Sequence, residues 1–226
     1  MSIELCVLGS GSSGNSTLLR VDGRAMLIDA GFGPRSLAKR LVGTGVALAD
    51  LEAILLTHLD SDHYAPTWAP VLLRQGIALY LAERHVGAFY EIMRRHPTPC
   101  DARQLHHAGL LRTFDGRPFA VTPQDGGAHA ATARPIHLAH DRSGTVGYVI
   151  RNGRHRLGYA TDLGCVPDGL INAMADVDVL AIESNYDEQM ERASGRPARL
   201  KARVMGNQGH LSNDQALAAI RAVLAR

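Results

Sequence analysis

The sequence predicts an α/β (α+β) chain made of two similar β-rich halves, stacked as a sandwich with helices outside. Three observations predict this. A hairpin followed by a strand, with helical stretches between, occurs in both halves. The short apolar runs have strand length and end in polar clusters. The 226 residues are 46% hydrophobic and 20% charged, ordinary globular usage with enough apolar side chains for a sizeable core. The expected organisation is a single domain over 1–226, with halves at 1–95 and 136–226 and a variable segment at 96–135.

Residues 3–8 read as a strand and are followed by a Gly/Ser-rich loop. Residues 17–21 and 24–29 read as strands joined by Asp22-Gly23, a two-residue hairpin turn. Pro34 opens a helix with Leu37, Leu41 and Val42 on one face, proline being favoured at the first helical position. Residues 51–57 read as a buried strand that ends in polar residues. A helix over 66–75, a strand over 77–81 and a helix over 84–95 follow. The segment 96–135 mixes Pro, Gly, Asp and His and reads as loop with short strands. Residues 145–151 and 154–161 flank Asn152-Gly153, a second hairpin signature, and 177–183 reads as a buried strand. Ser212 and Gln215 fit a capping box opening a helix over 212–225, with Leu217, Ile220, Val223 and Leu224 expected to be buried.

Composition excludes several functions. The net charge is +2, from 24 Lys+Arg against 22 Asp+Glu, too balanced to announce a polyanionic partner by itself. Aromatics at 5% argue against a base-stacking platform. The three cysteines, Cys6, Cys100 and Cys165, form no CxxC pair, so neither a disulfide framework nor a zinc ribbon is indicated. No signal-peptide pattern and no apolar run of roughly 18 residues appears, so a cytoplasmic protein without a membrane span is expected. Gly9, Gly11 and Gly14 match G-x-G-x-x-G after a strand, and Asp29 follows at the spacing of a dinucleotide fingerprint. That motif needs a helix to begin at its last glycine and face the pyrophosphate, whereas here a hairpin follows. The loop therefore reads as a tight turn, or as a mouth lined by amides and hydroxyls.

The chemistry concentrates in residues 57–63, Thr-His-Leu-Asp-Ser-Asp-His. His58, Asp60, Asp62 and His63 are four potential metal ligands within six positions, and no Lys or Arg lies between Leu51 and Arg74 to pair with the carboxylates. Further donors at strand ends are Asp29, His140, Asp162 and His210.

These segments, together with 8–16, 27–32, His140-Asp141, 159–162, Glu183-Ser-Asn185 and 209–213, resemble the metallo-β-lactamase-fold hydrolases, in particular their YycJ-like branch. The resemblance implies a four-layer αβ/βα sandwich holding two divalent metal ions per chain. One would be held by His58, Asp60 and His140, the other by Asp62, His63 and His210, with Asp162 bridging and Asp29 behind them orienting the turn. Asp62 and Asp162 are the expected catalytic residues. The family has histidine where this chain has Asp60. Three carboxylates around two ions remain electrostatically reasonable, but the preference for zinc weakens and manganese or iron become competitors.

The implied reaction is hydrolysis by a metal-activated hydroxide, with DNA or another phosphodiester as substrate. Ser13, Asn15, Asn185, Ser212 and Asn213 are candidate substrate-binding donors. His137 and Tyr186 are candidate proton donors, though both have blander packing roles. Arg192, Arg196, Arg199, Lys201 and Arg203 can track a phosphate backbone or simply form a solvated face. Two alternatives stand beside the nuclease: a small-molecule ester, lactone or thioester hydrolase with a pocket built by 96–135, and a non-catalytic metal-binding module marked by Asp60.

Overall fold

A computed structural model describes residues 1–96, 98–121, 130–140 and 143–226. Asp141 and residues 122–129 of the variable segment lie outside the described residues. The chain is mixed α/β, with two sheets flanked by helices, and divides into two compact units.

The first unit spans Met1–Asp115 with Val121–Gly126. Its six strands lie in chain order: β1 (Ile3–Gly9), β2 (Ser16–Val21), β3 (Arg24–Ile28), β4 (Leu51–Leu55), β5 (Ala78–Ala82) and β6 (Leu111–Phe114). β1 to β3 form an antiparallel meander, and β3 to β6 are parallel. The β2–β3 turn is at Asp22-Gly23, both with positive φ (50° and 83°), as a turn matching the strand twist requires. Parallel strands need crossovers, supplied by α1 (Pro34–Arg40), α2 (Ala69–Gln75), α3 (Val86–Arg95) and α4 (Ala102–His107). β5 is buried throughout, so its Ala-Leu-Tyr-Leu-Ala run has no polar alternation. Leu27, Ile54, Leu79, Leu37, Trp68 and Phe89 centre the core.

The second unit spans Gly116–Ala120 with Gly127–Arg226. Its strands are β7 (Phe119–Ala120), β8 (Thr132–Leu138), β9 (Thr145–Asn152), β10 (His155–Ala160) and β11 (Val179–Ile182), ordered β11-β10-β9-β8-β7. All neighbours are antiparallel except β10–β11. Its helices are α5 (Asp168–Met174), α6 (Glu188–Ala193), α7 (Ala198–Val204) and α8 (Asn213–Leu224). Leu138, Val149, Leu163, Leu170, Met174 and Leu211 form its core.

Several local readings shift. The β9–β10 turn falls at Gly153-Arg154, because buried Asn152 pairs with His155 and stays in the ladder. β11 is shorter than read and half-exposed, as suits an edge strand. Val42 lies past the end of α1 and is exposed. On α8 the buried positions are Ala216, Ala219 and Val223, whereas Leu217 and Leu224 face solvent. Helices α4 to α7, each six or seven residues long, are not among the elements read from the sequence. α4 carried a usable signal in the Asp101/Gln104 capping box, and α6 in its Asp187 cap, which accepts from the Met190 amide at 2.9 Å. No helix among the described residues is long and apolar enough to cross a membrane.

Candidate metal centre

In the first unit the donors gather where β3 and β4 end. Directly after β3, Asp29 takes a left-handed conformation (φ 61°) that turns its carboxylate inward. That carboxylate is fully buried, yet it accepts from the Thr57 amide (2.8 Å), from the Thr57 hydroxyl (2.8 and 3.0 Å) and from His63 Nδ1 (2.8 Å). Burial pushes its pKa up, opposed by His63 and the Thr57 bonds. The Thr57 hydroxyl, having donated to Asp29, faces His58 Nδ1 at 2.9 Å as acceptor. The two imidazoles are buried with ring centroids 4.0 Å apart. Their Nε2 atoms face carboxylates: His58 Nε2 is 3.9 Å from Asp60 Oδ2, and His63 Nε2 is 3.7 Å from Asp62 Oδ2.

The Gly/Ser loop holds this turn through Asn15. The Asn15 amide donates to the Asp62 carbonyl (2.6 Å), and its carboxamide donates to Asp62 Oδ2 (3.0 Å) and lies 2.9 Å from His63 Nε2. An N–H donated to Nε2 requires the Nδ1–H tautomer, the one the Asp29 bond also selects. A Cβ added at Gly31 would stand 1.8 Å from the Asp62 carbonyl oxygen, so only glycine lets the two segments meet. The glycine motif opens no helix; Gly9 and Gly14 pack on the Phe32 ring, and β2 follows.

In the second unit, Asp162 mirrors Asp29: it follows β10 in a left-handed conformation (φ 53°). His140, buried after β8, donates from Nδ1 to the Gly209 carbonyl (2.9 Å), and its ring lies 5.2 Å from that of His210. His210 Nδ1 is 2.6 Å from Glu183 Oε1 and 3.4 Å from Asp162 Oδ1. The Glu183 carboxylate raises the His210 pKa, with burial and Arg203 acting against it. Asp162, Glu183 and His210 each offer a donor atom within a 4.8 Å cluster. Glu183 also accepts from the Leu163 amide (3.0 Å) and the Leu211 amide (3.3 Å), so one buried carboxylate sets the Asp162 loop and the His210 loop together.

The structure thus groups Asp29, His58, Asp60, Asp62 and His63 in the first unit, and His140, Asp162 and His210 in the second. Sequence reasoning missed Thr57 and gave Glu183 no role. Glu183 carried the same signal as Asp29 and Asp162, an acid closing an apolar strand. Of the expected substrate donors, Ser13 is exposed on the glycine loop. Asn15 is engaged with Asp62 and His63, and Asn185 donates to Glu183 (3.2 Å). Ser212 caps α8, and Asn213 accepts from Ser184 (2.8 Å). His137 is exposed on β8; Tyr186 is half-buried and bridges to Ser212.

The donor chemistry fits divalent ions: imidazoles anchored through Nδ1 with Nε2 left as acceptor, mixed with carboxylates. Comparisons with known proteins agree. A family model described as a β-lactamase superfamily domain matches residues 24–226. The chain is 26% identical over 225 residues to exodeoxyribonuclease YycJ of Bacillus anthracis, covering 99% of this chain and 78% of that protein. It is 30% identical over 220 residues to exodeoxyribonuclease WalJ of Streptococcus pneumoniae, covering 95% and 74%. Solved structures with the same fold include a diphosphatase of the PhnP family (TM-score 0.63, 18% identity, 97% of this chain and 82% of that one). Another is the short form of human tRNase Z (TM-score 0.64, 18% identity, 97% and 88%). The chain belongs to the metallo-β-lactamase superfamily, a family of metal-dependent hydrolases.

Proposed function

We propose that this chain is a metal-dependent phosphodiesterase acting on nucleic acid, of the exodeoxyribonuclease kind named for its relatives. One observation carries the metal-dependent part. All four candidate histidines are anchored through Nδ1: His58 on Thr57, His63 on Asp29, His140 on the Gly209 carbonyl and His210 on Glu183. Each is thereby oriented with Nε2 as acceptor, the state a metal ligand requires.

In this reading His58, Asp60 and His140 would hold one ion and Asp62, His63 and His210 the other, with Asp162 available to both. Zinc is the proposed native metal, with manganese or iron as competitors because Asp60 is a hard, anionic donor. Bound ions supply Lewis acidity and lower the pKa of water toward neutrality. The chain's own residues do the rest: Asp29 and Glu183 fix imidazole tautomers, Asn15 holds the Asp62 turn, and the buried Thr57 hydroxyl couples His58 to Asp29.

A second role for His210 is favoured by its short bond to Glu183, which raises its proton affinity. A protonated His210 would serve as donor to the leaving oxygen instead of as a ligand. Two measurements test the whole reading. Metal-replete protein is assayed on labelled DNA, a chromogenic phosphodiester, and a lactone and thioester panel. Metal is then counted in Asp62→Ala and His210→Ala. DNA and chromogen turnover lost in Asp62→Ala supports the proposal. Turnover of the carbonyl panel alone makes the chain a small-molecule hydrolase, and bound metal with no turnover makes it a binding module. Full metal content in inactive His210→Ala assigns His210 as the proton donor.

A further inference from the structure

The most cationic stretch of the chain runs from Arg192 to Arg203, with five Arg or Lys. Two of these cations are committed locally: Arg192 pairs with Glu188, and Arg196 reaches Glu191 at 3.0 Å. Lys201 Nζ donates to the Arg192 carbonyl (2.6 Å), tying α7 to the end of α6. Arg199 and Arg203 differ. They are exposed and four residues apart, hence on one face of α7. Among the described residues neither has a carboxylate within ion-pair reach, and Ala198–Val204 contains no acid. Like charges at this spacing cost a helix about 0.2–0.5 kcal/mol, so helix stability does not account for them.

α7 is also fixed to the candidate centre. The His210 amide donates to the Val204 carbonyl (2.9 Å). A Cβ at Gly209 would stand 2.1 Å from the Arg203 carbonyl oxygen and 2.2 Å from that of Val204. A Cβ at Gly164, two residues beyond Asp162, would lie 2.3 Å from the Asn207 carbonyl carbon. At Gly209 and Gly164 the backbones approach too closely to admit a side chain, so the end of α7 and the residues after it pack directly on the His210 and Asp162 loops. Beside α7 opens a groove of about 700 Å³ whose lining includes Tyr186, Arg192, Lys201 and Ser212; α7 faces it with Lys201 and Ala202, and Arg199 and Arg203 stand outside it on the adjoining stripe of the helix. Its acids are balanced: Glu188 by Arg192, and Asp214 by its place in the first turn of α8.

We propose that α7 and this groove bind one single-stranded stretch of nucleic acid next to the scissile linkage, Arg199 and Arg203 holding its phosphates. The proposal rests on the phosphodiesterase reading. Two exposed guanidinium groups and a single lining tyrosine match a strand's backbone and one base better than the width of a duplex.

The test is anisotropy titration of a labelled phosphorothioate single strand, which resists hydrolysis, across a range of salt. Wild type is compared with Arg199→Gln/Arg203→Gln and with the charge-reversed Arg199→Glu/Arg203→Glu. Removing two phosphate contacts should weaken binding at least tenfold and lower the salt slope by about 1.4, at about 0.7 per single-strand contact. An unchanged slope in both variants overturns the proposal, as does tighter binding of a duplex than of its single strand. Hydrolysis of a small chromogenic phosphodiester by wild type is measured in parallel. Its absence rejects the phosphodiesterase reading, whereas its presence with unaltered strand binding in the variants rejects the α7 site alone.

Discussion

Replacing Asp29 with asparagine separates holding a histidine from merely filling space. Asparagine keeps the shape and tolerates the left-handed backbone at this position (φ 61°). Its carbonyl oxygen can still accept the Thr57 amide, now 2.8 Å from Oδ1. Its NH2 group, however, faces His63 Nδ1, where the carboxylate accepts at 2.8 Å. Two donors cannot share that contact, so His63 must either give it up or move its proton to Nε2, the atom meant for the metal, where it displaces the Asn15 carboxamide now at 2.9 Å. The lost charge-assisted bond is worth about 1.5–3 kcal/mol, partly offset because a buried carboxylate no longer has to be desolvated. Burial already pushes Asp29 toward its neutral form, so the offset is real.

The net loss of metal-free stability should be about 1 kcal/mol, or about 2–4 °C in Tm for a chain of this size. Metal affinity should fall about 10–100-fold, the usual cost of losing a carboxylate behind a ligating histidine. Thermal melts of the stripped protein and zinc competition against a chromophoric chelator measure the two effects separately. Zinc affinity within threefold of wild type would refute the reasoning, since it would mean that Asp29 does not set the His63 tautomer.

Two further outcomes follow from the same geometry. Asp60→His places an imidazole beside His58 Nε2, where the carboxylate now stands at 3.9 Å. It should raise zinc affinity about tenfold, or about 1.4 kcal/mol, by competition titration, and unchanged affinity would show that position 60 does not touch the ion. The metal-free protein should lose stability as pH rises, because the Glu183 bond raises the His210 pKa above 6.5. That contribution is fully present below the unfolded value and is lost as pH climbs through the folded one. Melts from about pH 6 to about pH 9 should show this decline in wild type and a flatter profile in Glu183→Gln; parallel profiles would remove the Glu183–His210 link.

Strand positions, the Asp22-Gly23 turn, the Pro34 start and the Ser212 cap were legible because each depends on neighbours only a few residues away. The amphipathic face of α8 was legible in period but wrong in phase, since burial of Ala216 and Ala219 over Leu217 and Leu224 depends on what the helix packs against. The same division runs through the site. His58, Asp60, Asp62 and His63 declare themselves by density within six residues and by the absence of local cations. Asn15, which reads as a loop donor for substrate, is instead bonded to Asp62, 47 positions away.

By itself, the sequence determined which donor atoms this protein owns and that they stand at strand ends, because side-chain chemistry and alternation are local properties of the chain. Tertiary structure alone decided which nitrogen of each histidine carries the proton. For three of the four the partner that chooses it lies far off in the chain: Asp29 is 34 residues from His63, Glu183 is 27 from His210, and Gly209 is 69 from His140; His58 takes its neighbour Thr57, whose hydroxyl is itself oriented by Asp29, 28 residues away. A tautomer is set by the acceptor that reaches the ring, and folding brings that acceptor there.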